Sequence, residues 1–459
     1  MKSIISFTAL ALLCCLTSHS QNIYRTACQG NIERLDSLLQ ETEINTQDNR
    51  GRSLLHWAVA CNQKEVFKHL LEKQILTNLE DNEGVTPLHM SVRFQRVEFF
   101  DQLVNLETDT SWKQNYGGTL FEKAILNSDT LFVQKLVEVG VPINSSNKRG
   151  STPLEIALRT QQPQITAMLK ANGADENLVR KFKLEGMYMG QETPGTTAKV
   201  FAPNVISTEE YEFGSVFNKA GTEFYYGVDV GRRSEIRYSE LRDTIWSRPK
   251  TILSHEQYGY NDPFLSPDEN RLYFISDQAM DRKGESKDID IWYVNRTTNG
   301  WSEPINAGTN INTAGEEYYI SFTKNGKMYF STDAYSDEDN RNHDIYTSAF
   351  ENGEFQKPVR LGEAINTDAY EADVFVDPDE KYLIFCAQRP EGMGRGDLYI
   401  SFKNDDGSWS KSVTMGDKVN TEGHELCPFV TPDGKYLFFT SQQDIYWVST
   451  EVFKELKAH

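Results

Sequence analysis

Thr86-Pro87-Leu88-His89-Met90-Ser91 begins two residues after Gly84, and the same frame recurs on both sides of it. Upstream, Gly51 precedes Ser53-Leu54-Leu55-His56-Trp57-Ala58. Downstream, Gly117 precedes Thr119-Leu120-Phe121-Glu122-Lys123-Ala124, and Gly150 precedes Thr152-Pro153-Leu154-Glu155-Ile156-Ala157. Each interval between these glycines is 33 residues. A second apolar stretch follows each copy, such as Val66-Phe67 with Leu70-Leu71, or Phe132-Val133 with Leu136-Val137. Asn45, Asn78 and Asn144 or Asn147 lie in the polar connections. A fixed period of this length marks a repeat architecture. One period back from Ala60-Cys61 lies Ala27-Cys28, so a truncated first copy starts close to Gln21.

In length and in its Thr-Pro-Leu-His opening this unit resembles the ankyrin repeat. The resemblance covers residues 21–182, about five repeats with the first and last atypical. It implies stacked helix–turn–helix units with projecting β-turn fingers, each unit burying its apolar face only against its neighbours. It also implies a structural role for His56 and His89, hydrogen bonding within and between repeats. Glu122 and Glu155 stand where that histidine would be, which marks degenerate or capping repeats. Cys28 and Cys61 are equivalent sites in adjacent repeats, and stacked helical layers lie roughly 10 Å apart. Disulfide Cα separations stay below about 7 Å, so no disulfide is predicted there.

The second half carries a different unit, a turn followed by an aromatic strand. Its copies are Ser266-Pro267-Asp268 leading to Leu272-Tyr273-Phe274, Thr323-Lys324-Asn325-Gly326 to Met328-Tyr329-Phe330, Asp377-Pro378-Asp379 to Leu383-Ile384-Phe385, and Thr431-Pro432-Asp433-Gly434 to Leu437-Phe438-Phe439. A degenerate copy runs from Asn218 to Tyr226. The closing aromatics at 226, 274, 330, 385 and 439 are 48, 56, 55 and 54 residues apart. Pro-Asp and Asn-Gly form turns because Pro presets φ and Gly accepts positive φ. A third strand opens on an acid in every copy: Glu235, Asp290, Asp344, Asp397 and Asp444. Three copies add a glycine and an aromatic (Trp301, Phe355, Trp409) before a fourth strand; these rings read as packing residues ahead of a sugar platform. Four short strands per unit describe the blades of a β-propeller.

The Pro-Asp-Gly, Leu-Tyr-Phe, Asp-Ile-Tyr order resembles the TolB-type propeller repeat, which is common in exported bacterial proteins. The fold class is therefore a multidomain α and β chain: an N-terminal ankyrin α-solenoid and a C-terminal all-β propeller. Five copies predict five blades; six is the alternative if residues 183–198 hold a degenerate one. The last copy ends at its third strand, Tyr446-Trp447-Val448. The segment Lys199-Val200-Phe201 through Thr208 resembles the fourth-strand segments 358–367 and 412–421, so it is predicted to complete the last blade. The domains follow: signal peptide 1–20, ankyrin repeats 21–182, a flexible linker 183–198 containing Gly186, Gly190, Pro194 and Gly195, propeller 199–450, and a C-terminal tail 451–459.

The N-terminus reads as an export signal. Lys2 supplies the charge, Phe7 to Leu16 the apolar run, and Ser18-His19-Ser20 the cleavage site before Gln21. The run is too short for a membrane-spanning helix. A lipoprotein anchor at Cys14 or Cys15 would lack the small residue expected before it. The expected location is periplasmic or secreted. Cys28, Cys61, Cys386 and Cys427 remain in the mature chain; they show no metal-ligand spacing, and Cys386 and Cys427 read as two buried thiols, with a disulfide between them as the alternative. The 459 residues carry 47 basic and 67 acidic side chains, net −20. Residues 21–182 hold 18 basic and 20 acidic, residues 183–459 hold 28 and 47. The acidic balance argues against nucleic acid and anionic membranes and for a protein partner with a basic surface.

Candidate site residues follow from propeller topology. Glu212, Tyr260, Glu317, Glu371 and Glu425 align on the loops into the inner strands and are expected to ring one mouth of the channel. Three readings compete: the glutamates brace neighbouring blades, the mouth binds a cationic group or basic peptide, or the 333–344 loop binds Ca²⁺. Asp333, Asp337 and Asp339 are the candidate metal ligands, although they lack a regular calcium-loop spacing. No other cofactor is expected. There is no Gly-x-Ser-x-Gly elbow, His-Glu-x-x-His pair or Walker loop. Glu371 and Glu425 could serve as a glycosidase pair, but carboxylates in one repeated register lack the two environments that separate an acid from a base. The sequence therefore favours an exported, non-enzymatic protein-binding or scaffolding protein. A carbohydrate or small-ligand binding propeller is the alternative, and a glycoside hydrolase stands behind it.

Overall fold

A computed structural model describes residues 19–82, 84–106, 111–180, 184–231, 233–280, 284–335 and 342–457. The chain divides into two compact units, Met1–Lys181 and Phe182–His459.

The first unit is a stack of helix pairs. The inner helices are His19–Gln29, Leu54–Ala60, Pro87–Arg93, Gly117–Leu126 and Pro153–Arg159. Their outer partners are Ile32–Leu38, Lys64–Glu72, Val97–Leu106, Thr130–Glu138 and Pro163–Ala171. The Thr-Pro-Leu-His opening explains the helix start. Thr86 Oγ1 accepts from the His89 N–H, His89 Nδ1 accepts from the Thr86 N–H at 3.1 Å, and Pro87 occupies the first turn, where a missing N–H costs nothing. Between inner and outer helices, Asn62, Gln95, Ser128 and Gln161 take left-handed φ of 52–58° at the same period. Aromatic edge-to-face contacts then pass from repeat to repeat, Phe67 to Phe99 at 4.8 Å and Phe100 to Phe132 at 5.3 Å.

The histidine register carries the link between repeats. His56 Nδ1 accepts from the Ser53 N–H, so Nε2 bears the proton and donates to the Val85 carbonyl of the next repeat at 2.9 Å. Burial holds His56 and His89 below the usual histidine range, His89 to about 4, so both stay neutral. Glu122 and Glu155 do the same work with carboxylates. Glu122 accepts from Asn147 Nδ2 at 3.0 Å, and both oxygens of Glu155 accept from Arg180 Nε at 3.0 Å. Gly117 departs from its 33-residue equivalents: it lies inside a helix, where a Cβ would sit 2.6 Å from Val141 Cγ1.

The expectation for the two ankyrin cysteines is overturned. Cys28 and Cys61 are joined in a disulfide, with Cα atoms 5.2 Å apart. The figure of about 10 Å is a distance between helix axes. Each Cα lies about 2.3 Å off its axis, so residues facing each other approach to 5–6 Å, well inside disulfide range.

The second unit is a ring of five antiparallel blades of four strands, the first two carrying an additional short strand, Ile245–Trp246 and Gly300–Trp301. From inner to outer strand, blade 1 runs Tyr211–Phe217, Glu223–Asp229, Ser234–Arg242 and Lys250–Leu253. Blade 2 runs Asn261–Leu265, Arg271–Ser276, Asp290–Thr297 and Ile305–Asn306. Blade 3 runs Glu317–Phe322, Met328–Thr332, Asp344–Ser348 and Val359–Arg360. Blade 4 runs Tyr370–Val376, Tyr382–Gln388, Asp397–Phe402 and Val413–Thr414. Blade 5 takes Leu426–Val430, Tyr436–Ser441 and Asp444–Ser449 from the C-terminal end, and Lys199–Val200 supplies its outer strand. Lys199 pairs with Trp447 and Val200 with Tyr446, and the Phe201 N–H donates to the Ile445 carbonyl at 2.8 Å. The closure expected from the sequence is thus present, and with it a five-blade count.

Segment 183–198 differs from the flexible link its glycines suggested. Leu184, Tyr188 and Met189 are buried against the propeller. The Trp246 N–H donates to the Leu184 carbonyl at 2.8 Å, and Tyr188 Oη donates to Asp433 at 3.0 Å. Three apolar side chains with a surface to bury outweigh the local freedom of the glycines. The tail also folds: Val452–Leu456 is a short helix, with Phe453 against Tyr382 at 5.3 Å.

Candidate functional site

The glutamate register is built from the loops between blades. Each Glu stands four residues after a threonine that ends the preceding outer segment. The carboxylate of Glu317 accepts from the Thr313 N–H at 3.2 Å and its hydroxyl at 2.7 Å. Glu371 accepts from Thr367 at 3.0 and 2.6 Å, and Glu425 from Thr421 at 3.0 and 2.8 Å. Glu212 accepts from the Thr208 N–H at 3.0 Å and from its hydroxyl. In blade 2, Tyr260 holds this place and donates to Gln278 at 2.7 Å.

The backbone repeats the stitch in all five blades. The N–H groups of Glu212, Tyr260, Glu317, Glu371 and Glu425 donate to the carbonyls of Gln443, Ser234, Ile289, His343 and Gly396, each one residue before a third-strand acid of the adjoining blade. Each of these five side chains is buried. Burial pushes the carboxyls of Glu212, Glu317 and Glu371 up, Glu317 to about 7. Glu371 also meets Arg389, whose Nη2 lies 3.0 Å from Oε1; the same guanidinium donates to Ser412 and to the Ile365 carbonyl, and covers the Tyr399 ring at 4.6 Å. These carboxylates hold blade to blade.

The space the glutamates were expected to ring is lined by their neighbours. A cavity of about 370 Å³ opens among the inner strands, walled by Tyr211, Phe213, Tyr318 and Tyr370, by the carboxylates of Asp229, Asp262 and Asp373, and by Asn261 and Cys427, with Ser234, Ile275, Ile289 and Leu426 completing it. Its geometry comes from a device repeated in every inner strand. Two residues beyond the glutamate register stand Gly214, Asp262, Tyr319, Asp373 and Cys427, all with left-handed φ of 41–53°. Strand pairing shifts at each of these places, so each is a β-bulge. A bulge re-aims its side chain, which is how four of the five inner strands turn a polar group toward one axis. Gly214 is the member without a side chain; a Cβ there would lie 2.5 Å from Asp262 Oδ1.

The centre is acidic and crowded. Cys427 Sγ donates to Asp262 Oδ1 at 3.4 Å, and Tyr319 Oη donates to the Pro428 carbonyl at 2.8 Å. Burial and the charge of Asp373 push Asp262 up to about 7, and burial pushes Asp373 up to about 6. Burial drives the Cys427 thiol well up, so it stays protonated. Sequence reasoning missed this set because its five members span four residue types, with only Asp262 and Asp373 alike. The available signal was positional: counting two residues on from the aligned glutamates.

Other candidates are placed as follows. Asp333 Oδ1 accepts from the Glu316 N–H at 2.8 Å, while Asp337 and Asp339 lie outside the described residues. Among the described residues, no cluster of three His, Cys, Asp or Glu side chains is arranged to hold a metal ion. Cys386 and Cys427 are free, buried thiols, and Cys386 Sγ lies 3.4 Å from His424 Nε2. Trp301 lies under Arg296 at 4.6 Å and Trp409 under Lys403 at 4.2 Å, while Phe355 is buried.

Residues 23–114 match the ankyrin-repeat family, in 3 copies. No curated protein matches the chain as a relative. The ankyrin match covers the first repeats, and the helix pairs to Ala171 continue the same architecture. Ankyrin repeats imply protein–protein interaction, and together with a five-bladed propeller they fit an interaction scaffold. No helix among the described residues is long and apolar enough to cross a membrane.

Proposed function

We propose that this protein is an exported, non-enzymatic scaffold that holds a protein partner with a basic surface. The carrying observation is the union of ankyrin repeats at residues 23–114 with a closed propeller, two folds whose broad rigid surfaces suit recognition. The net charge of −20 favours a basic partner over an anionic one. Export is supported by the signal-like N-terminus and by the Cys28–Cys61 bond, since disulfides persist in oxidising compartments. We further assign the propeller to the TolB-like type on its Pro-Asp turns and Asp-Ile-Tyr strands.

Photo-crosslinking in intact cells tests this reading. A crosslinking residue is placed at Arg50, on an ankyrin finger, or at the exposed Met393 of the propeller. The same protein captured repeatedly from one position in the exported fraction, and displaced by excess unlabelled protein, is the expected result. Capture of no protein from either position overturns the scaffold reading.

A further inference from the structure

The channel cavity contains acceptors and aromatic rings, and among the described residues no cationic side chain lines it. Its lining has three carboxylates, three tyrosines and one phenylalanine, and no Lys, Arg or His among the described residues. Among the described residues, Asp262, 8% exposed, has only the Cys427 thiol as a side-chain donor, and a thiol is a weak one. Asp373 accepts from the Cys427 backbone N–H. Asn261, on the same wall, supplies a second and independent signal: its side-chain oxygen is buried and has no hydrogen-bond partner among the described residues. Buried acceptors are rarely left unmet. Carboxylates, an amide oxygen and ring faces are the chemistry that recognises an ammonium group. Ile275, Ile289, Leu426 and Phe213 add apolar wall that suits an aliphatic stem. The volume falls in the range of small-ligand sites.

We propose that this cavity binds a primary ammonium group carried on an aliphatic chain, with Asp262 and Asp373 as its counter-charges and the tyrosine rings of positions 211, 318 and 370 around it. The source is either a free amine or the lysine side chain of a peptide, which share this chemistry. The inference goes beyond the scaffold reading and does not rest on it.

A pH dependence follows. Among the described residues, the titratable groups facing the two aspartates are Asp229, Cys386, Cys427, Tyr211, Tyr318, Tyr319 and Tyr370; the thiols and the phenols are pushed up and stay neutral. Asp373 and Asp262 shed their protons between about 6 and about 7. A cation favours the carboxylates, so affinity rises with pH across that interval and levels off above it.

Isothermal titration calorimetry on the intact protein at pH 8 tests the site with 1,5-diaminopentane and Nα-acetyl-lysine methylamide. The neutral controls are 1-pentanol and Nα-acetyl-norleucine methylamide. Binding of at least one amine, at least 10-fold tighter than its neutral control and weakened at least 10-fold by Asp262→Asn and by Asp373→Asn, is the expected result. Binding of the diamine alone points to a free amine, and binding of the lysine derivative alone to a peptide. Equal binding of amine and neutral control, binding of neither amine, or amine binding unchanged in both variants overturns the proposal. If a variant fails to fold, the wild-type pH series decides: affinity that does not rise between pH 5.5 and 8 overturns it equally.

Discussion

Breaking the Cys28–Cys61 bond should loosen the N-terminal end of the ankyrin stack while leaving the propeller untouched. The bond closes a segment with a sequence separation of 33. Loop-closure entropy for about 33 residues amounts to about 3.7 kcal/mol at 25 °C in the chain-entropy treatment. The cysteine substitutions add little, because thiol-to-alanine changes remove only a small apolar group. Repeat arrays gain stability from each unit and its neighbour interface. The loss therefore falls on the first two helix pairs and is felt fully only in transitions that unfold both. The assay is urea unfolding of the intact protein, followed by amide hydrogen exchange in the helix Leu54–Ala60, whose Trp57 packs beside Tyr24 of the first repeat at 6.5 Å. Oxidised wild type, reduced wild type and Cys28→Ala/Cys61→Ala are compared. The reduced protein and the double variant should agree and lie about 2–4 kcal/mol below the oxidised protein. Agreement of all three curves would refute the reasoning, as would a loss confined to the double variant, which would assign the effect to packing.

Two further predictions concern the propeller. Glu317 is raised from 4.5 to about 7 by burial, so the folded state holds a proton that the unfolded chain releases at lower pH. Its contribution is fully present below pH 4.5 and is lost as pH rises to about 7, a span of order 3 kcal/mol. Glu317→Gln should flatten that part of the stability-versus-pH curve relative to wild type, in denaturant titrations from pH 4 to 8; an unchanged slope would contradict the assignment. Phe201 is fully buried between the ends of the ring, touching Phe217, Phe224, Phe438 and Trp447. Phe201→Ala should cost about 3–5 kcal/mol and lower the propeller's melting temperature without moving the ankyrin transition.

Much of the site's framework is legible in the sequence. Thr367 and Glu371 stand in a register shared by four blades, and a residue type repeated at one position is what a joint between blades requires. The lining was not legible. Tyr211, Tyr318 and Tyr370 flank the aligned glutamates on different sides, and their common destination depends on where each strand bulges. A bulge is set by pairing with the next strand, and no local motif marks it.

The sequence by itself determined the two repeat periods, the helix starts at Thr-Pro-Leu-His, the turns at Pro-Asp and Asn-Gly, and the closure of blade 5 by Lys199–Val200. These are near-neighbour matters: capping, turn chemistry and the burial of one repeat's apolar face on the next. The tertiary structure alone decided the pairing of Cys28 with Cys61 and the meeting of Asp262, Asp373 and Cys427. The first depends on which sides of two helices face each other, a rotation worth a few ångströms at Cα. The second joins residues 165 positions apart (Asp262 and Cys427), brought together because a closed ring turns all its inner strands toward one axis.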